Sequence, residues 1–172
     1  MSGPAAPRAG SRSAQRVGPV KALARDPRVL RVGMNAWPPF LFAGIRIQHI
    51  GADFRSVRVS LRRTPLTSNY VGTLFGGSLF SMTDPFWMIM VLRNLGPDYV
   101  VWDKAAEIEF VAPGRTSATA SFELTEEVLD ELREAAQGGA KVLRWFETDV
   151  VGTDGTVIAT VRKQLYVREK RR

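Results

Sequence analysis

The stretch from Asn69 to Pro85, running on through Phe86 to Leu92, constrains this chain more than any other. Two adjacent glycines, Gly76 and Gly77, open an apolar run that carries a single carboxylate, Asp84, and every residue from Phe86 to Leu92 is large and hydrophobic. A helix built of such residues has no polar face to offer water, so the remainder of the chain has to wrap it. The glycines fall where that helix would begin, and the first turn of a helix carries backbone N–H groups with no partner inside it. Backed by the helix dipole, such donors make a site for a carbonyl oxygen that gains negative charge. Close packing of helix on sheet is an equally open reason for the glycine pair.

Asn69, Gly72-Thr73, Gly76-Gly77 and Asp84 resemble, in order and spacing, the signature of hotdog-fold acyl-CoA thioesterases of the phenylacetyl-CoA thioesterase type, in which an N-x-x-G-[ST]-x-H-G-G run precedes a helical Asp. The resemblance covers residues 40–168 and departs from the family at Phe75, where the family has a His. It implies an α+β hotdog fold, a curved antiparallel sheet wrapped around one long central helix. It implies an activity too: hydrolysis of an acyl-CoA thioester to a carboxylic acid and free coenzyme A, without a cofactor. In that reading Asp84 activates a water or attacks directly, while the Gly77 N–H and the Asn69 amide hold the thioester oxygen. Gly76 and Phe75 line the substrate site. A polar side chain from the strand after the helix assists, and Asp103 is the nearest candidate. Lys104 beside it is either one half of a solvated ion pair or a phosphate contact. The acyl-CoA would be met by a homo-oligomer, a dimer or a dimer of dimers.

If the helix begins at Gly76 or Gly77, Asp84 lies roughly 10 Å further along its axis, at about 1.5 Å per residue. One thioester cannot touch both, so a carbonyl held at one helix start needs the carboxylate of another chain. A second reading of Asp84 stays open, because Asp-Pro is also a helix-start pair and Asp84 could cap a separate segment beginning at Pro85. Phe75 leaves two outcomes as well, a pocket shaped for a greasier acyl chain or lost activity. The alternative function is therefore an inactive hotdog domain that binds acyl-CoA or serves as an assembly module.

Composition narrows the chemistry. The 172 residues hold no cysteine and one histidine, His49, which excludes disulfides and thiolate metal sites and makes a zinc site or a Ser-His-Asp triad hard to assemble. A hotdog dehydratase is disfavoured for the same lack, and no metal is expected. The net charge of +7 is concentrated at the ends: residues 1–25 carry five basic side chains and no acid, and Arg168 to Arg172 contribute +3, leaving the body at −1. A near-neutral body argues against a nucleic-acid surface. No stretch reaches the ~20 apolar residues of a membrane span, and a cytoplasmic protein is expected.

Three parts are expected along the chain. Residues 1–25, rich in Gly, Ala, Pro, Ser and Arg, read as a disordered basic extension. Residues 26–168 form the hotdog domain, and 169–172 a basic tail. Asp26-Pro27 signals a short flanking helix that breaks at Pro38-Pro39. Alternation of apolar and polar residues then predicts strands at Ile45 to Ile47, Val57 to Leu61, Tyr99 to Ala112, Ala118 to Leu124, Val142 to Val151 and Val157 to Val167. Gly96 and Pro97 end the central helix, Thr125 caps another over Glu126 to Gln137, and Gly152 to Gly155 joins the last two strands as a hairpin. His49 is expected to be half-buried and structural, and Trp87, Trp102 and Trp145 to be core.

Overall fold

The computed structural model describes residues 26–171; the extension expected over residues 1–25 lies outside the described residues. Six strands form one sheet: β1 (Ile45–Ile50), β2 (Ser56–Leu61), β3 (Tyr99–Phe110), β4 (Ala118–Glu123), β5 (Val142–Gly152) and β6 (Val157–Glu169). Every neighbouring pair is antiparallel, in the order β1-β2-β4-β5-β6-β3. The sheet wraps the central helical run from Gly76 to Leu95, as an α+β fold of the expected kind. Phe86, Trp87, Met90, Val91 and Leu95 are all buried there. Trp87 stacks on Phe146 at 4.6 Å between ring centroids and donates its indole N–H to Thr148 Oγ1 at 2.8 Å, so the polar edge of a buried ring is satisfied.

The hairpin between β5 and β6 forms at the expected residues, with Gly155 at φ 84°. A further helix, Glu126–Ala135, is capped by Thr125 as its sequence signals. β6 runs past the expected domain end to Glu169, and the Lys170 N–H bonds to the Asp98 carbonyl at 2.8 Å, so the tail begins inside the sheet. Two aromatic expectations are corrected: Trp102 is half exposed on the outer face, stacked on Tyr166, and Trp145 is half-buried beneath the Arg162 guanidinium rather than in the core. His49 is exposed, not half-buried, because it lies on β1 beside the register shift between Ile47 and His49.

The two edges of the sheet are treated differently. Helix α1 (Pro27–Ala36), capped by Asp26, lies along β1, and Asn35 does there what a further strand would do. Its Oδ1 accepts the Ile47 N–H at 2.7 Å, and its Nδ2 donates to the Ile47 carbonyl at 3.0 Å. Arg31 donates to the Gln48 carbonyl alongside. The Pro38-Pro39 break is a restart: prolines suit the first turn, so α2 (Pro38–Ala43) begins there and ends at Gly44, φ 72°. At the opposite edge, β3 pairs with β6 on one side and with nothing on the other among the described residues. Its inward residues Ile108 and Phe110 are incompletely covered, Phe110 being 57% exposed.

Asn35→Ala removes both edge bonds and leaves the Ile47 amide and carbonyl without partners. It should lower the unfolding free energy by about 1–3 kcal/mol, measured as a shift in urea midpoint without a change in slope.

Candidate active site

Proline decides where Asp84 stands. Pro85 has no N–H and its ring collides with the carbonyl four residues back, and α3 (Gly76–Ser81) ends at that residue, Ser81. The chain passes through a turn at Met82 to Pro85, where the Thr83 hydroxyl bonds back to the Phe80 carbonyl at 2.8 Å, before α4 (Phe86–Leu95) resumes. The central helix is thus two segments, and Asp84 lies on the turn between them rather than on a continuous helix. The break anticipated by the capping reading is present and the cap is not, since no side chain caps α4.

The Asp84 carboxylate instead reaches across to the sheet. Lys163 Nζ lies 2.5 Å from Asp84 Oδ1 and 3.5 Å from Asp103 Oδ2, so the two carboxylate oxygens are at most about 6 Å apart. The Lys163 side chain is 2% exposed, that of Asp103 32% and that of Asp84 60%. Lys163 is on β6 between Val161 and Leu165, in inward register, with Phe146 and Ala106 as its partners on β5 and β3. Asp103 faces the same side because the register shifts between Asp103 and Ala105, with Lys104 as the extra residue. Such a bulge turns the strand's parity over, which lets both Asp103 and Ala106 point inward. Lys104 is exposed and makes no ion pair among the described residues, so the cation beside Asp103 is Lys163.

The glycine pair lies directly beneath two aromatic rings. A Cβ on Gly76 would come within 2.9 Å of the Phe110 ring, and one on Gly77 within 2.5 Å of the Phe75 ring. Gly76 therefore lets α3 pack against β3, while the half-exposed Phe75 ring closes over Gly77. The Gly76 and Gly77 N–H groups, first in α3, have no partner among the described residues. Asn69 is committed to its own loop: Oδ1 accepts the Val71 and Thr73 N–H groups, both at 3.1 Å, and Nδ2 donates to Thr73 Oγ1 at 2.9 Å. Its amide braces the turn leading into α3, with Gly72 at φ 77° at the bend.

Along β3 the two features stand apart. Lys163, which carries Asp84, is opposite Ala106, and Gly76 packs on Phe110; four residues of strand separate these positions by roughly 13 Å. Within one chain, the unpaired amides and the Asp84 carboxylate do not meet on one carbonyl group.

The sequence pattern of a domain family of unknown function, DUF4442, matches residues 27–167. The chain belongs to the DUF4442 family. No protein with a curated function matches it. Among solved structures, this DUF4442 chain is similar to a protein of unknown function, probable thioesterase, from Pseudomonas aeruginosa, at 19% identity and TM-score 0.72 over 83% of this chain and 95% of that one. It is also similar to a Haemophilus influenzae thioesterase (14%, TM-score 0.60, 83% and 90% covered) and to the Escherichia coli PaaI protein of the phenylacetic acid degradation operon (16%, 0.58, 84% and 94%). At these identities the likeness is one of fold, and that fold is the hotdog.

The residue that sequence reading missed in this DUF4442 protein is Lys163. A signal for it existed: Val161, Lys163, Leu165 and Val167 share one face of β6, so an ammonium stands at a position the alternation reserves for the core. Electrostatics at the cluster are uneven. Burial raises the Asp103 carboxyl above its ordinary value of 3.8; the Lys163 ammonium opposes that rise, and the Asp84 charge adds to it. A carboxyl raised in the folded state binds its proton more readily there than when unfolded. Its contribution to stability is therefore greatest below pH 3.8 and is lost as pH rises through the folded value. Asp84→Asn deletes the neighbouring negative charge, so the Asp103 carboxyl should titrate at lower pH in that variant, as read by carbon-13 NMR of the carboxyl resonance.

Proposed function

We propose that this protein is an acyl-CoA thioesterase acting as a homodimer, with Asp84 as its general base or nucleophile. The observation that carries the reading is the Asp84 carboxylate: exposed, on a helix break, and fixed from beneath by Lys163 at the incompletely covered inner face of β3. In the base form of the reaction, a water oxygen attacks the thioester carbon and its proton passes to Asp84. The carbonyl oxygen takes the negative charge opposite the Gly76 and Gly77 amides. The intermediate then collapses, the carbon–sulfur bond breaks, and the thiolate takes up the proton as free coenzyme A departs.

A second copy supplies what one chain lacks. β1 is blocked by Asn35, whereas β3 offers a twelve-residue edge and an exposed Phe110. Two β3 strands paired antiparallel about a twofold axis set the Phe110 end of one against the Asp103 end of the other. That brings the glycine turn of one copy toward the Asp84 of its neighbour, closing the roughly 13 Å gap. A second reading, a hotdog domain that binds acyl-CoA without hydrolysing it, is favoured by the Phe75 ring over Gly77 and the fully engaged Asn69 amide.

Purified protein offered short, long and aryl acyl-CoAs should release free thiol, against no background because the chain has no cysteine. Asp84→Asn should cut kcat by about 10²–10⁴. Tight acyl-CoA binding without release would favour the second reading. Ile108→Lys on the inner face of β3 should turn a dimer into a monomer in sedimentation velocity and abolish release; a wild-type monomer that is active would overturn the shared site.

A further inference from the structure

A lysine side chain 2% exposed, with Phe146 and Ala106 as its register partners and Val161 and Leu165 beside it on the same face of β6, carries an ammonium that is costly to desolvate, and a methionine would fill the same volume without that cost. Two carboxylates compensate it: among the described residues, Asp84 from the turn before α4 and Asp103 from β3 are the charged groups within ion-pair distance of Lys163, and its partners on β5 and β3 are uncharged. The arrangement is lopsided in exposure, with a buried cation beneath a carboxylate that is mostly in water. A free surface aspartate samples several rotamers. This one has Oδ1 held at 2.5 Å by a donor that is itself packed rigidly, which leaves Oδ2 as the oxygen that can take a proton from water.

We propose that Lys163 is the positioning residue for Asp84: its buried ammonium fixes Oδ1, sets the direction of Oδ2, and ties Asp84 to Asp103 as one unit. This rests on the thioesterase reading above. In this role Lys163 acts through Asp84, so its effect falls on the chemical step and not on acyl-CoA binding.

The test is kinetic and uses the full chain with an acyl-CoA that the wild type hydrolyses. Lys163→Met, folded by circular dichroism, should lose at least about 30-fold in kcat with KM within about threefold of wild type, the pattern of an interaction felt mainly in the transition state. Combined with Asp84→Asn it should lose little more than Asp84→Asn alone, because both changes remove one unit. Since the chain has no cysteine, Lys163→Cys alkylated with 2-bromoethylamine in denaturant and refolded rebuilds an ammonium at the same reach, and should recover most of the lost kcat. A Lys163→Met enzyme with wild-type kcat and a lower melting temperature would show a purely structural ion pair and overturn the proposal. So would losses that multiply in the double variant. Should Lys163→Met fail to fold, Lys163→Arg decides: it keeps the charge and alters its reach, so lowered kcat at unchanged KM supports positioning and unchanged kcat refutes it. A wild type that releases no thiol from any acyl-CoA sinks the thioesterase reading and this role together, whereas an active wild type with an indifferent Lys163→Met sinks this role alone.

Discussion

A helix with no polar face can persist in water only inside something else, and the sheet of this protein is organised by that requirement. Phe86, Trp87, Met90 and Val91 fill the concave side, and Phe86 and Trp87 both meet Phe122 of β4 at ring-centroid distances of 5.2 and 5.6 Å. Because α4 takes up the centre of the concave face, the charged side chains of the inner surface among the described residues gather beyond its N-terminal end. There Pro85 interrupts the run, and there Asp84, Asp103 and Lys163 gather. The break in the helix and the polar cluster are one feature seen from two sides: without the turn at Met82 to Pro85, residue 84 would be one more position on a buried rod.

Much of this was legible in the chain. The alternation of apolar residues located all six strands, the Gly152 to Gly155 turn fixed the last hairpin, and the all-apolar run identified the central helix. The Asp84-Pro85 pair offered the interruption as a second reading beside one long helix, since a proline's conflict with the preceding turn is local and readable. What was not legible was what Asp84 bonds to. Its partner is 79 residues away in sequence, brought near by strand order alone, and strand order is set by packing that no local pattern encodes. The bonding of Asn69 was hidden for the converse reason. Its spacing fitted a ligand contact, but its amide and carbonyl are consumed by the Val71 and Thr73 groups of its own turn, a nearby alternative open to any asparagine. Trp102 and Trp145 were misjudged because ring size suggests core, whereas Tyr166 and Arg162 give them stacking partners on the outside of the sheet.

The glycine pair shows how one sequence feature can serve two ends. Neither glycine has the left-handed backbone that would demand the residue type on conformational grounds. Both lie against aromatic rings, Phe110 over Gly76 and Phe75 over Gly77, and as the first residues of α3 they carry amides that have no partner within the helix, as the first turn of any helix does. Close packing and free donors therefore coexist, and the two explanations that stood side by side at the level of sequence do not compete.

The Asn35 side chain has a consequence for association by strand addition. A sheet with two bare margins is a tile that can be extended indefinitely, and strand-by-strand extension is how fibres grow. Here a single carboxamide occupies the hydrogen-bonding places of Ile47 at one margin. Growth by strand addition is left a single direction, so any such association stops after one event, and a short helix outside the sheet acts as its terminator.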